Sequence, residues 1–237
     1  MIGIPPPTRQ DIIAMLVTEH FTLQGARSAT ISDANGRTSF LLGMASGVTV
    51  ALAFMAQISG LGGAFFVFAI VLLPALLFIG LVTFERLVQL GIENVRCVLA
   101  INRIRHYYLE VAPELRPHVT LSPHDDPRGV LLSLGSLRSA PRPWDIFVTN
   151  AGMVAVLDAL VAGVIAALVG AQLGGTMAGP ALAGAMTGLV VLTVLSLYLA
   201  RSWRQAVSAF GVRFPSTEAE LDLSHIPPAS EPRASDG

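Results

Sequence analysis

The chain has 237 residues, of which 53% are hydrophobic and only 13% charged, and its formal net charge is −1. A soluble domain carries about 25% charged residues, so this composition excludes an ordinary water-soluble globular protein. The near-zero charge excludes nucleic-acid binding as a main role.

Pro5-Pro6-Pro7 cannot lie inside a helix and reads as extended chain. Thr8 follows as an N-cap, with Asp11 three positions on in a carboxylate version of the capping box. The spacing predicts an amphipathic helix over 8–24, with Ile12, Leu16 and Leu23 on one side, joined by Ile13, Val17 and Phe21. It reads as a docking helix rather than one lying on the membrane surface. Gly25 and Asn35-Gly36 read as breaks after it.

Four long apolar runs follow, at 40–58, 63–84, 152–172 and 178–200. Each has roughly the 20 residues that a helix needs to cross a bilayer core of about 30 Å. The first starts behind a polar helical stretch, so it does not read as a cleavable signal peptide. Four such runs leave too little polar surface to cover them in water. The expected fold is an all-α integral membrane protein, its four transmembrane helices forming two hairpins.

All fifteen basic residues are arginine, and all lie outside the four runs. Ser59-Gly60-Leu61-Gly62 and Leu173-Gly174-Gly175-Thr176-Met177, the two short turns, carry no charge. The positive-inside bias therefore places the N-terminal tail (1–38), the central segment (85–150) and the C-terminal tail (201–237) in the cytoplasm. The hairpins occupy 39–84 and 151–200. Trp144, Tyr198 and Trp203 suit the headgroup level. Arginine without lysine, together with abundant Ala, Gly and Val, suggests a GC-rich bacterial genome and hence a bacterial inner membrane.

The second run, rich in Phe, Leu and Ile, is expected to face lipid and to bend at Pro74. Its helical pattern continues to Val111. Arg86, Gln89, Glu93, Arg96, Arg103 and Glu110 form a polar stripe, and Val88, Ile92, Val95, Leu99, Ile101, Ile104, Tyr108 and Val111 oppose it. That amphipathic stalk must bury its apolar side against the N-terminal helix, the central loop or another subunit. Ala112-Pro113 ends it. Residues 113–143 read as a Pro-, Ser- and Gly-rich loop. Its patch of Val130, Leu131, Leu132, Leu134 and Leu137 is expected to dip into the membrane interface. The tail from 215 reads as disordered. Cys97 is the only cysteine, which excludes an internal disulfide and suits a reducing compartment. The likeness of Ala56-Gln57 and Ala171-Gln172, each before a glycine-rich turn, is read as convergence rather than duplication.

Between helices in lipid, small residues four apart let backbones approach. The first run offers Gly43, Gly47 and Ala51. The third offers Ala155, Ala159, Gly163 and Ala167. The fourth offers Gly184 and Gly188. These ladders serve packing within the chain or, with only four spans, an oligomer seam. Asp158 is the one ionisable side chain inside a run, about 10 Å in at 1.5 Å per residue. Burying a carboxylate there costs at least ~2.5 kcal/mol. It reads as a hydrogen-bonded packing residue or as an ion or proton site. Its expected partners are Arg86, Arg201, Thr49, Thr187 and Thr193.

His118, His124, Asp125 and Asp126 match no structural zinc spacing and read as a solvated turn, with no metal. His106-Tyr107-Tyr108 resembles no catalytic arrangement. No nucleophile elbow, zincin helix or phosphate loop is present, and no cofactor is implied. The expected function is a non-enzymatic scaffold or signalling component that assembles by helix–helix contact with itself or a partner protein. The rival is a small oligomeric channel or transporter, with Asp158 lining the path and Gln57 and Gln172 near its outer mouth.

Overall fold

The computed structural model describes residues 7–135, 143–173 and 178–217. Their regular structure is all helical, with no strand among the described residues. Four of the helices are long and apolar enough to cross a membrane: α1 (Arg9–Ser59), α2 (Gly63–Val111), α4 (Asn150–Gln172) and α5 (Ala178–Ala209). A short α3 (Pro127–Ser133) lies between α2 and α4, flanked by 3-10 turns at Pro113–His118 and Pro143–Val148.

The start of α1 is set by the Thr8 cap. Asp11 N–H donates to Thr8 Oγ1 at 3.2 Å, and Thr8 N–H donates to Asp11 Oδ2 at 2.9 Å. The helix then runs 51 residues without a break, roughly 75 Å at 1.5 Å per residue. The breaks expected at Gly25 and Asn35-Gly36 do not occur. Each helical glycine costs only about 1 kcal/mol, and packing outweighs it. Thr38, Leu41, Ala45, Val48 and Leu52 are spaced alternately three and four apart and lie against the main core. Asp33 and Arg37 pair at 2.9 Å across one turn, and Asn150 Nδ2 donates to Asn35 Oδ1 at 2.9 Å.

α1 and α2 pack antiparallel along their whole length. Arg9 reaches Val111 O at 3.3 Å, Arg27 reaches Asn94 Oδ1 at 3.2 Å, and Asp33 meets Arg86 at 3.8 Å. Each step up one helix is a step down the other. The stalk thus buries part of its apolar side against the N-terminal helix of its own chain, while Val95 and Leu99 lie against Val130 of the central loop, so two of the three expected solutions are used together.

α2 is the central helix, packed against α1, α4, α5 and α3. Ala69, Leu73, Leu76, Gly80, Phe84 and Leu87 form a buried row along it, spaced as one helix face requires. The expectation that this run faces lipid is therefore corrected. Its bulky residues divide between an inward row and exposed Val67, Ile70, Val71, Phe78 and Val82. Pro74 lies inside the helix on its exposed side, away from the packed row.

α5 extends past its apolar run and lies beside the second half of α2. Tyr198 Oη donates to Glu85 Oε2 at 2.8 Å, and the Arg96 guanidinium sits 5.3 Å from the Phe210 ring centre. Three helices therefore leave the apolar section together. Val95, Val98, Leu99 and Val130 form a second core there, covered by Leu134, Trp203, Val207 and Phe210. Burying each such side chain stabilises by about 1.5–3 kcal/mol in water. The apolar patch of the central loop is thus not an interfacial dip: Val130 is fully buried in this second core. Leu137 lies outside the described residues, as does the tail beyond 217.

Candidate functional site at the crossing of α2 and α4

α4 begins at a Thr149 cap, whose Oγ1 accepts from Gly152 N–H at 3.0 Å. It then presents two faces. Ala151, Val154, Asp158 and Val161 are buried at spacings of three and four, one stripe of the helix. Ala155, Ala159, Gly163 and Ala167, each four apart, form the other. In its most apolar window 44% of residues are buried, against 6% for α1 and for α5, so α4 shares the centre of the molecule with α2.

The small-residue ladder of α4 faces α5. A Cβ at Gly163 would lie 2.8 Å from Gly184 O, and one at Gly184 would lie 2.7 Å from Gly163 O and 2.9 Å from Ala167 Cβ. One at Gly188 would lie 3.1 Å from Ala159 O. These backbones touch because no side chain separates them. Ala155 is also buried, at 1% exposure. Gly43 and Gly47 on α1 differ. Both are exposed, and a Cβ on either would meet nothing within 4 Å.

Asp158 points from the other face into α2. It is 1% exposed, and its Oδ2 has no hydrogen-bond partner. A Cβ at position 80 would overlap the carboxyl group, chiefly Oδ1. Gly80 is thus a notch in α2 shaped by the absence of a side chain, and the carboxyl group fills it. None of the expected partners bonds Asp158. Thr49 donates to Ala45 O at 2.8 Å and Thr193 to Leu189 O at 2.7 Å. Arg86 pairs with Asp33 at 3.8 Å and Glu93 at 3.4 Å. Sequence reasoning missed Gly80. Its signal was a glycine in phase with Ala69, Leu73 and Leu76, on the face that turned out to be inward.

Beyond Asp158, α2 and α4 diverge around an apolar groove of about 230 Å³. Phe66, Leu73, Ile165 and Leu168 line it, with Gln172 at one end. It offers no charged group.

The second polar cluster lies in the three-helix section, and it is not a solvated turn. Asp125 is 2% exposed. Its Oδ2 accepts from Arg103 Nε at 2.7 Å, and its Oδ1 accepts from Arg213 N–H at 3.0 Å and Phe214 N–H at 2.8 Å. Arg103 also donates to Phe210 O and Gly211 O at 2.8 and 2.7 Å. Burial works against the Asp125 anion, but the Phe214 N–H, the Arg103 side chain and the Arg213 N–H outweigh it and hold the carboxyl below the usual range. Asp126 caps α3 through Gly129 N–H at 2.7 Å and holds Ser216 by its hydroxyl.

Asn102, fully buried, completes the tie. It donates to His124 O at 2.8 Å and accepts from Arg105 Nη1 at 2.8 Å and Ser133 Oγ at 3.0 Å. Burial, then the charge of Arg27, hold Arg105 below its usual range. His118 stays exposed. No group of three or more His, Cys, Asp or Glu able to hold a metal occurs among the described residues. Every oxygen of Asp125 is engaged by a donor, so the cluster is a clamp joining α2, the central loop and the segment after α5. Cys97 is half-buried, and burial raises its thiol above the usual range. That leaves it less nucleophilic than a free cysteine.

No protein-family model, curated protein or solved structure matches this chain.

Proposed function

We propose that the chain is a four-span membrane protein, formed by two transmembrane hairpins, that acts as a non-enzymatic scaffold or signalling component. The observation that carries this reading is continuity. α1, α2 and α5 pass without interruption from apolar stretches into a polar three-helix bundle, clamped by Asn102 and Asp125. A displacement of the helices in the bilayer is then a displacement of the bundle outside it. The arginine distribution favours a cytoplasmic bundle and cytoplasmic termini in a bacterial plasma membrane. Exposed Gly43 and Gly47 on α1 favour a homo-oligomer or a partner protein's transmembrane helix at that face.

The test is topology with assembly. Single cysteines at Gly60 or Ser208, in a Cys97→Ser background, are offered an impermeant thiol reagent on intact cells. Labelling at position 60 and protection at 208 is expected. The reverse pattern inverts the orientation, and recovery of the chain in water without detergent ends the membrane reading.

A channel or transporter is the second reading, favoured by the unpartnered oxygen of Asp158. Flux from reconstituted vesicles, compared with Asp158→Asn, separates the two. Background flux in both removes the channel, and robust flux abolished by the substitution removes the scaffold.

A further inference from the structure

We propose that Asp158 is a binding site for one proton, held where α2 and α4 cross and released only when the two helices part. The proposal deepens the role of Asp158 and rests on the reading that α2 and α4 lie in the bilayer.

Three observations carry it. The carboxyl group is enclosed at 1% exposure. Its Oδ2 has neither a donor nor a counter-ion. The Gly80 notch closes directly on it. A carboxylate anion so enclosed has no cation beside it, no donor at Oδ2 and little exposure to water, the three means by which protein interiors hold charge. The neutral acid carries no charge to stabilise, so its burial there costs far less.

The surrounding charges do not supply a substitute. On α2 the nearest titratable groups are Glu85 and Arg86, both engaged elsewhere, with Tyr198 and with Glu93 and Asp33. On α1, Asp33 and Arg37 pair with each other. α5 carries only Tyr198 between Ala178 and Ala200, and the turn before α4 carries Asp145. None of the first five bonds Asp158.

Release breaks the carboxyl O–H bond, passes the proton to water and leaves a carboxylate. Water must first reach the group, and the face closed by Gly80 is where it can be opened by moving one helix. Proton occupancy and helix contact are therefore linked, and linkage is reciprocal. Whatever moves α2 through its stalk changes proton affinity, and loss of the proton biases α2 away from α4.

Infrared spectroscopy of the full chain in lipid nanodiscs tests the site. A carboxylic-acid C=O band is expected at pH 7, where exposed carboxylates are ionised. It should shift on ¹³C-aspartate labelling, disappear at alkaline pH and be absent in Asp158→Asn. Spin labels on Phe78→Cys and Leu160→Cys, in a Cys97→Ser background, then report the crossing. Both positions are exposed on their helices. The wild-type distance should lengthen at alkaline pH and the Asp158→Asn distance should not.

No aspartate band at neutral pH overturns the proposal, and this needs only the wild type. A distance that fails to respond in the wild type, or responds equally in Asp158→Asn, overturns the coupling. If the chain stays in the bilayer with its labelling pattern intact, the membrane reading survives that failure. Extraction of the wild type by an alkaline wash ends both.

Discussion

The α4–α5 pair and the three-helix stalk are both helix packings, yet different forces hold them. α4 and α5 meet backbone to backbone at Gly163, Gly184 and Gly188, and what they gain is close van der Waals contact, which operates in lipid as well as in water. The stalk has a small aliphatic core around Val95, Val98, Leu99 and Val130 and adds a network of buried hydrogen bonds. Hydrophobic burial drives association only where water is the alternative. The contrast thus marks the two solvents the proposed membrane protein would meet.

The largest effect is expected where backbones touch. Gly184→Leu with Gly188→Leu places two branched side chains against Gly163 and Ala159, and should destabilise the α4–α5 pair by roughly 3 kcal/mol or more. Thermal unfolding in detergent, followed by circular dichroism, reads it. An unchanged midpoint would mean that the glycines are not a packing surface.

Next comes the stalk. Asn102→Leu removes the acceptor for Arg105 and Ser133 and the donor to His124 O. A cost of about 2 kcal/mol is expected, because buried polar groups lose partners. Hydrogen exchange should quicken over 95–111 and stay unchanged in α4. Uniform acceleration through both regions would erase the contrast between them.

Acid sharpens the contrast further. The folded-state Asp125 carboxyl is held below its ordinary range, so its clamp contributes stability above the unfolded-chain value and loses it as pH falls through the folded one. Below about pH 4 the segment around Phe214 should loosen, seen as faster proteolysis after α5. Asp125→Asn should bring the same loosening at neutral pH, at about 1.5 kcal/mol, and abolish the acid step.

Residues with local causes were readable in advance. Long apolar runs set where α4 and the apolar parts of α1, α2 and α5 lie, and Thr8 with Asp11 set where α1 starts. Residues whose roles depend on distant chain were not. Gly25 and Asn35-Gly36 look like breaks until α2 is placed beside them. Asp125 looks like a solvated turn until Arg213 and Phe214 arrive from 88 and 89 positions away. Gly80 carries meaning only once Asp158 stands opposite. The apolar patch at Val130 failed similarly, since a short hydrophobic run does not state whether lipid or protein covers it.

The smallest stability change is expected at the glycine pair of α1, and there its smallness is informative. Gly43→Leu with Gly47→Leu puts side chains into open space, so unfolding of the single chain should shift by less than about 0.5 kcal/mol. Leucine also favours a helix over glycine, which pushes any change towards stability. Yet the two residues are spaced like the pair that closes α4 on α5. If α1 forms a seam between copies, the substitution should lower oligomer size in light scattering while leaving the melting of the chain in place. An unchanged oligomer would make Gly43 and Gly47 lipid-facing, and would show that identical small-residue spacing has opposite meanings on α1 and α5.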